Sequence, residues 1–308
     1  MRLTPTAAVR AWRTPDGPVT VEVSVDGREI LVTAHGEGAT WAVDRADLLL
    51  GECDDAAGFD HRLHPAVRDA TRRLPGLRLG RSLAVTDAVI ASVVEQKVTS
   101  LDAHRTWRRL QSTLGEPAPG NLGLTLPVDP HRLAATPWWT LHSVGLERRR
   151  AECLQRVAAC SARLEALATQ PPDTADAALQ SIAGVGPWTA AEVRLVALGD
   201  ADAVSVGDWH LPSMVAWALA GEPRATDDRM LELLEPWRGH RGRVLRLLGA
   251  AGHAAPRRGP RMPDVDIARL DGPAAEGRWS GRPGSNWGPR APKARTLPTA
   301  PRPGRRQG

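Results

Sequence analysis

The sequence predicts a mainly α protein in which a small β-rich (α+β) N-terminal domain precedes an all-helical domain. Two observations lead to this fold class. Apolar and polar residues alternate within the first seventy or so positions, whereas apolar residues at helical spacing recur from about residue 80 to 250. The 308 residues, of which 42% are hydrophobic, suffice to bury a sizeable core.

The β-rich segment centres on a predicted β-hairpin. Four valines at alternate positions from Val19 to Val25 are separated by polar residues, Asp26-Gly27 follows, and the run REILVTAHG comes next. This alternation is typical of a half-buried strand, and Asp-Gly is typical of a type I′ turn. We expect the stretch ATWAVD to add a third strand.

The helical segment follows after RLPGLRLGRS. Apolar residues recur at i, i+3 and i+4, and Pro or Gly separates one run from the next. Eight or more helices are expected between about residues 80 and 250, on the evidence of DAVIASVVEQKV, SLDAHRTWRRLQSTL, DPHRLAATPWWTL, LERRRAECLQRVAACSARLEAL and DTADAALQSI.

The C-terminal segment 263–308 differs in composition from the rest. It contains nine basic and four acidic residues, so it accounts for the whole net charge of +5, and the first 262 residues are formally neutral. Because it is rich in Pro and Gly and poor in aliphatic residues, we expect a disordered basic tail. The predicted domains are therefore 1–78, 79–262 and 263–308. Any nucleic-acid-binding face must arise from local arrangement rather than bulk charge.

Composition also excludes several classes of protein. No run is as long and apolar as a membrane span, and the N-terminus lacks the apolar core of a signal peptide, which predicts a cytoplasmic protein. Cys53, Cys153 and Cys160 form neither a C-x-x-C pair nor a four-thiolate set. Cysteine alone therefore builds neither a structural zinc site nor an iron–sulfur cluster.

A tight turn with the sequence Gly184-Val185-Gly186 precedes Pro187 and a helical run. Glycine permits positive φ and close backbone approach, and Pro favours the first turn of a helix. The stretch predicts a helix-hairpin-helix whose free N–H groups form a seat for a phosphate. A plain helix-capping turn is the alternative.

Asp208 begins the segment DWHLP, about twenty residues after the hairpin. A helix from Pro187 to about Leu198 would run roughly 18 Å away from the hairpin. The loop from Gly199 to Gly207 is long enough to return about 25 Å. Asp208 can therefore lie back beside the hairpin; alternatively, it serves only as the N-cap of the next helix.

Several motifs occur together in one order. The hairpin lies in LQSIAGVGPWTAAEVRLVALGDADAVSVGDWHL, preceded by DAVIASVVEQKVTSLDAHRTWRRL and VGLERRRAECLQRVA and followed by LEPWRGHRGRVLRLL. In order and spacing they resemble the helix-hairpin-helix DNA glycosylase superfamily. The β-rich N-terminus resembles that of inducible 3-methyladenine-DNA glycosylases. The resemblance covers roughly residues 10–260 and implies a helix-hairpin-helix glycosylase domain at 79–262.

The resemblance implies roles for the matching residues. Asp208 would be the catalytic carboxylate, which stabilises positive charge on the sugar as the N-glycosidic bond breaks. Trp188 stands where bifunctional relatives carry a Schiff-base lysine, so no abasic-site lyase activity is expected. Trp188 and Trp209 would line the substrate pocket, with a core position as the alternative for Trp188. The implied DNA-binding residues are Gly184, Val185, Gly186, Thr189, Gln96 and Lys97.

Two positions depart from the family pattern. Gln96 and Lys97 match the loop that fills the space left by the flipped base, but an apolar or amide side chain is more usual at Lys97; a solvated surface lysine is the alternative. Arg246 stands where relatives for alkylated bases carry a further pocket tryptophan. A positive charge there is unfavourable to a cationic base, so the substrate range is left open.

The resemblance implies a monofunctional DNA glycosylase of base excision repair. It would flip an alkylated base of the 3-methyladenine type out of double-stranded DNA, hydrolyse the N-glycosidic bond and leave an abasic site. The alternatives are a non-catalytic protein that binds damaged DNA and a glycosylase for deaminated or oxidised bases. We expect a nucleoid-associated bacterial monomer with no organic cofactor, no iron–sulfur cluster and no metal held by side chains. The family pattern also allows Na+ or K+ at the hairpin backbone.

Overall fold

The computed structural model describes residues 2–4, 6–27, 29–256 and 266–269. It confirms a mainly α protein with a small N-terminal sheet. The sheet of the described residues is antiparallel, with its strands in chain order. The strands are β1 (Arg2–Leu3), β2 (Ala7–Thr14), β3 (Gly17–Asp26) and β4 (Glu29–His35).

The predicted hairpin is confirmed as β3 and β4. Asp26 pairs with Glu29 across the turn, and Gly27 has φ +60°, the left-handed region that this glycine permits. The alternating face is buried only over its first half: Val19 and Val21 are buried, whereas Val25 is exposed. Strand β2 precedes the hairpin and pairs with β3 along its whole length, a strand that the alternation of the valines did not predict.

The prediction of a third strand at ATWAVD is wrong, because Ala39–Val43 is a helix, α1. Trp41 and Ala42 are adjacent in sequence and both are buried in the cluster that contains Trp12 and Val19. In a strand they would point to opposite faces of the sheet. Burying both on one side requires the helical turn.

The predicted helical segments are all helical, and eleven helices follow residue 84 in the described part of the chain, in agreement with the expected eight or more. Apolar residues at i, i+3 and i+4 explain this success, because they give each segment a continuous face to bury. The α-helices after α1 are α2 (Ala46–Leu50), α3 (Pro65–Arg73), α4 (Val85–Glu95), α5 (Ser100–Leu114), α6 (Pro130–Ala135), α7 (Trp138–Ser143), α8 (Arg148–Ala159), α9 (Ser161–Glu165), α10 (Pro172–Gln180), α11 (Pro187–Val193), α12 (Leu211–Ala220), α13 (Asp227–Leu234) and α14 (Arg241–Ala250).

The helices enclose two main apolar clusters. One contains buried residues of α4, α5, α8, α10 and α11, including Ile90 and Leu154. The other joins α3 to α12, α13 and α14, where Val67 packs in the same cluster as Met214 and Leu248. Helix α3 therefore shares a core with the last helices of the chain. The domain boundaries at 78 and 262 stay predictions, and no helix of the described residues is long and apolar enough to span a membrane.

The predicted tail lies almost entirely outside the described residues. The exception is the short segment 266–269, which is fixed to α5. Both carboxylate oxygens of Asp266 accept hydrogen bonds from the guanidinium of Arg109, at 2.6 and 2.8 Å. The segment Ile267–Arg269 forms a 3₁₀ turn in contact with α7.

A buried carboxyl lies where the sheet meets α4. Asp87 is in the first turn of α4, and its Oδ2 is buried without a hydrogen-bond partner among the described residues. Burial raises the pKa of Asp87 to about 7; Glu165 adds to this, and Arg10 of β2 opposes it. At pH values below the ordinary pKa of an aspartate, the Asp87 carboxyl is protonated in both the folded and the unfolded chain. Between that value and about 7 only the folded chain holds the proton, so this group lowers stability as pH rises.

We expect Asp87→Asn to increase the free energy of unfolding by about 2 kcal/mol at about pH 8, because one unit of pKa corresponds to about 1.4 kcal/mol and part of the effect is screened. The increase should disappear below about pH 4, where both states hold the proton. Urea unfolding of both proteins across this range measures it. Asp173→Asn, at an exposed first-turn position of α10, is the matched control. A difference that does not change with pH would contradict the assignment.

Candidate functional site: a hairpin and a returning aspartate

The hairpin between α10 and α11 has the geometry that its glycines predict. The N–H of Val185 donates to the carbonyl of Ile182 at 2.9 Å and closes the turn, while the Val185 side chain is buried in the core. Gly184 has φ +100°, and an added Cβ would lie 2.7 Å from Sγ of Cys153. Gly186 is extended, and an added Cβ would meet nothing within 4 Å. Packing against Cys153 therefore requires glycine at position 184. At position 186 the surrounding protein leaves room for a side chain.

Two side chains from other helices brace the hairpin. Nε of Arg156 donates to the carbonyl of Ala183 at 2.9 Å. Nε2 of Gln96 donates to the carbonyl of Gly184 at 3.0 Å and to Oγ1 of Thr189 at 2.9 Å. The hairpin is therefore fixed to α8 and to the end of α4.

These bonds change the expectation for Gln96 and Thr189, which were both predicted to contact DNA. Thr189 is 2% exposed and its hydroxyl accepts the Gln96 amide, so its side chain has an internal role. The Gln96 amide is held by the hairpin rather than left free to enter a duplex. Sequence could not show this, because the two residues are far apart in the chain and meet only when α4 packs against α11.

Lys97 projects between two fixed neighbours. Gln96 is held by the hairpin and Val98 is buried, while Lys97 is exposed. Its φ of +55° lies in the left-handed region, which costs a non-glycine residue about 1 kcal/mol or more. The loop after α4 thus holds one lysine outward at a strained position.

The chain returns to the hairpin as the predicted loop length allows. Helix α11 continues through a π-helical turn, Arg194–Leu198, and Gly199 then adopts φ +64° and ends it. Three acidic side chains fix the returning loop. Asp200 binds Arg194, Asp202 accepts the backbone N–H groups of Gly239 and Arg241, and Asp227 accepts the N–H of Gly207 at 3.1 Å.

Asp208 lies at the end of this loop, directly beside the hairpin helix. Its Oδ2 accepts Nε1 of Trp188 at 3.1 Å. Its Oδ1 accepts the N–H groups of His210 and Leu211, at 2.7 and 2.9 Å, where α12 begins. The carboxylate therefore both caps α12 and faces the hairpin helix, so the capping role and the site role coexist. The predicted return of Asp208 is confirmed.

The surroundings of Asp208 act on its charge in two opposite ways. Burial raises the pKa of Asp208, whose exposed fraction is 7%. The N–H groups of Leu211, His210 and Trp188 lower the pKa, as does the nearby His210 ring. Three N–H donors are what an ionised carboxylate needs when it is withdrawn from water. Burial outweighs these donors, so the pKa of Asp208 lies above its ordinary value, while the three N–H groups favour its charged form.

Two carboxyls of the site were missed by sequence reasoning: Glu192, which interacts with Asp208, and Glu95, which interacts with Glu192. Glu192 lies one helical turn after Trp188, and its Oε1 accepts Oγ of Ser205 at 2.5 Å. Burial raises the pKa of Glu192; the charge of Asp208 raises it further, and Arg246 opposes both. Burial, aided by Glu192, raises the pKa of Glu95 to about 7. The available signal was Glu192 itself, a carboxyl four residues after Trp188 in a largely apolar run.

Trp209 is 48% exposed and lies at the surface beside Asp208. No ring contact joins it to Trp188 among the described residues, so its role as a second pocket wall stays a prediction. Trp188 is half-buried, and its indole is oriented by the bond to Asp208.

No group of three metal-ligating side chains occurs in the part of the chain that the structure describes. The predicted absence of cofactors stays a prediction. Of the hairpin carbonyls, those of Ala183 and Gly184 already accept Arg156 and Gln96. A carbonyl oxygen has two lone pairs, so a monovalent cation at this turn could share these groups, and no step is assigned to one.

Neither a protein-family model nor a curated protein matches this chain. Among solved structures, a 3-methyladenine DNA-glycosylase from Archaeoglobus fulgidus is similar over 79% of this chain and 86% of its own, with 21% identity and a TM-score of 0.66. An 8-oxoguanine glycosylase/lyase from Clostridium acetobutylicum is similar over 78% of this chain and 87% of its own (14% identity, TM-score 0.61). A 3-methyladenine DNA glycosylase from Schizosaccharomyces pombe, in complex with abasic DNA, is similar over 64% of this chain and 97% of its own (18% identity, TM-score 0.53).

The fold class expected from the sequence is confirmed. The chain has the fold of the helix-hairpin-helix DNA glycosylases.

Proposed function

We propose that this protein is a monofunctional DNA glycosylase that removes an alkylated base, of the 3-methyladenine type, from double-stranded DNA. The observation that carries the proposal is the placement of a buried, N–H-stabilised carboxylate, Asp208, against Trp188 on the helix that follows the hairpin. A site of this kind combines an acceptor for positive charge with an aromatic surface.

The hairpin supplies the contact with the DNA backbone. The first N–H groups of a helix lack intrahelical acceptors, and its dipole favours an anion. At this helix start Pro187 is exposed and the space around Gly186 is open. A phosphate can approach there without displacing any side chain, and Lys97 provides a positive charge on the loop after α4.

Asp208 would act on the sugar of the flipped nucleotide. As the N-glycosidic bond breaks, positive charge develops on the sugar ring, and a fixed carboxylate stabilises that charge or orients a water molecule for attack. Because α12 and Trp188 hold both carboxylate oxygens, little reorganisation is needed when the charge develops. An alkylated, cationic base leaves readily, and the electron-rich face of Trp188 suits it.

The chain offers no amine on α11 for lyase chemistry. A glycosylase/lyase that uses a Schiff base needs a lysine beside the sugar. Among the described residues Lys97 is the one lysine, and it lies on the loop after α4 rather than on α11. This supports an enzyme that leaves an intact abasic site. The proposed monomeric state and cytoplasmic, nucleoid-associated location rest on the sequence alone.

A glycosylase for deaminated or oxidised bases is the second candidate, favoured by the charged residues Glu192 and Arg246 near Asp208. A non-catalytic protein that binds damaged DNA is less well supported, because capping of α12 uses only Oδ1 of Asp208, whereas Oδ2 faces Trp188 on the hairpin helix.

We expect Asp208→Asn to lower base release from a duplex methylated on purine nitrogens by about a hundredfold or more, because the amide cannot stabilise the developing charge. The measurement is free base together with alkali-labile sites under single-turnover conditions. Asp228→Asn, at an exposed position of α13, is the matched control. Tight duplex binding with no release of any damaged base by the wild type would leave the binding protein as the correct function.

We expect the wild type to produce abasic sites without strand breaks before alkali treatment. Borohydride should trap no covalent complex with DNA, because no Schiff base forms. Gel analysis of an end-labelled duplex measures both. Cleavage before alkali, or any trapped complex, would contradict the monofunctional assignment, and loss of that complex in Lys97→Ala would identify Lys97 as the amine.

The two hairpin glycines should respond differently to alanine. Gly184→Ala should lower the free energy of unfolding by about 1–3 kcal/mol, because its backbone is left-handed and its Cβ meets Cys153. Gly186→Ala should leave stability unchanged but weaken duplex binding by about tenfold, through loss of a backbone–phosphate bond. Urea unfolding and fluorescence anisotropy separate the two effects. Normal DNA binding by a folded Gly186→Ala variant would rule out this phosphate contact.

A further inference from the structure

Glu192 occupies a fixed position beside Asp208. It lies on α11 four residues after Trp188, so the two side chains lie on the same face of the helix, about one turn apart. Trp188 binds Asp208, and Ser205, three residues before Asp208, binds Oε1 of Glu192. The carbonyl of Ser205 also accepts the N–H of Asp208. One short segment of the returning loop therefore sets the positions of both carboxyls.

The contacts of Glu192 leave one of its oxygens available. Ser205, which is 2% exposed, binds Oε1, and no hydrogen bond to Oε2 is found among the described residues. Oε2 is therefore the atom that can carry a proton and donate it. Asp208 is different, because both of its oxygens already accept N–H groups.

The charged groups around Glu192 come from three elements. Glu95 faces it from the end of α4, Asp208 from the loop before α12, and Arg246 from α14. Three ionised carboxylates near one guanidinium would give the group a net charge of −2. One proton held by Glu95 or Glu192 reduces that charge to −1. Repulsion between neighbouring carboxylates and withdrawal from water both favour keeping this proton.

The result is a pair of carboxyls with different tasks. Asp208 has the donors that stabilise a negative charge, whereas Glu192 has one hydroxyl donor and two carboxyl neighbours. Burial raises the pKa of both groups, but three N–H donors favour the charged form of Asp208, whereas Glu192 has only the hydroxyl of Ser205. Unequal surroundings of this kind are the basis on which acid and base roles are assigned. The acid would act on the base, and the ionised carboxylate on the sugar.

We propose that Glu192 is the proton donor to the leaving base, and that the site thereby releases neutral damaged bases, such as deaminated purines, as well as cationic ones. The inference rests on the proposed glycosylase function. A cationic base already carries the positive charge that lets it leave, but a neutral base must gain a proton as the bond breaks.

The step balances as a hydrolysis. The oxygen of a water molecule bonds to C1′ of the sugar and gives a proton to Asp208, while the C1′–N bond breaks. The electron pair of that bond goes to the base, and Oε2 of Glu192 gives its proton to a ring nitrogen of the base. Solvent then returns the proton from Asp208 to Glu192, so that one water molecule is consumed in each turnover.

The test compares Glu192→Gln with the wild type on two duplexes, one with hypoxanthine and one with 7-methylguanine, under single-turnover conditions. Glutamine keeps the shape and still accepts Ser205, but it cannot donate a carboxylic proton. Release of hypoxanthine should fall by about 10²- to 10⁴-fold, whereas release of 7-methylguanine should fall by less than about fivefold, since its departure needs no acid. Glu232→Gln, at an exposed position of α13, is the matched control.

The pH dependence of the wild type gives a second readout that needs no variant. Hypoxanthine release should decrease as pH rises and Glu192 loses its proton, while 7-methylguanine release should not decrease in the same range. Equal losses on both duplexes, or parallel pH profiles, would overturn the role of Glu192 and leave the glycosylase function intact. So would release of 7-methylguanine without any release of hypoxanthine. Release of neither base nor of any other methylated purine would instead contradict the proposed function itself.

Discussion

The hydrogen bond between Trp188 and Asp208 is the constraint on which the site depends. It joins two residues that are twenty positions apart, one on the hairpin helix and one at the end of the returning loop. The loop reaches this point because Asp200, Asp202 and Asp227 fix it to neighbouring elements. The same carboxylate caps α12, so the residue that would perform the chemistry also helps to begin a helix of the second core. Structural and functional requirements thus meet in one side chain.

Helix α4 connects this site to the rest of the molecule. Its N-terminus is capped by the carboxylate of Glu165, which accepts the N–H groups of Val85 and Thr86, and its first turn carries Asp87 facing the sheet. Its last residues brace the hairpin and face Glu192. Buried Arg150 donates to the carbonyl of Val94 near the C-terminal end, where a positive charge complements the helix dipole. A shift of α4 along its axis would therefore move the hairpin.

The parts that could be predicted from sequence are those determined by local pattern. Helices with apolar residues at i, i+3 and i+4 were found, as was the hairpin at Asp26-Gly27, and loop length alone allowed Asp208 to return. The stretch ATWAVD was misassigned, because its burial depends on Trp12 and Val19, which are distant in sequence. The partnership of Gln96 with the hairpin and the proximity of Glu95 to Glu192 likewise exist only once α4 packs against α11. Long-range packing sets these contacts, and no local spacing encodes them.

Charged side chains lie near Asp208 in addition to the aromatic ring of Trp188. Viewed alone, Arg246 is unfavourable to a cationic base, since like charges repel and the repulsion is stronger away from water. Arg246 is not alone, because Glu192 and Glu95 lie with it and Asp208 adds a further negative charge. Even with one carboxyl protonated, negative charges exceed positive ones, so a cationic base gains more from the carboxylates than it loses to the guanidinium. The guanidinium of Arg246 then has a different consequence: it opposes the rise in the pKa of Glu192 that burial and Asp208 produce, and so favours the charged form of that carboxyl.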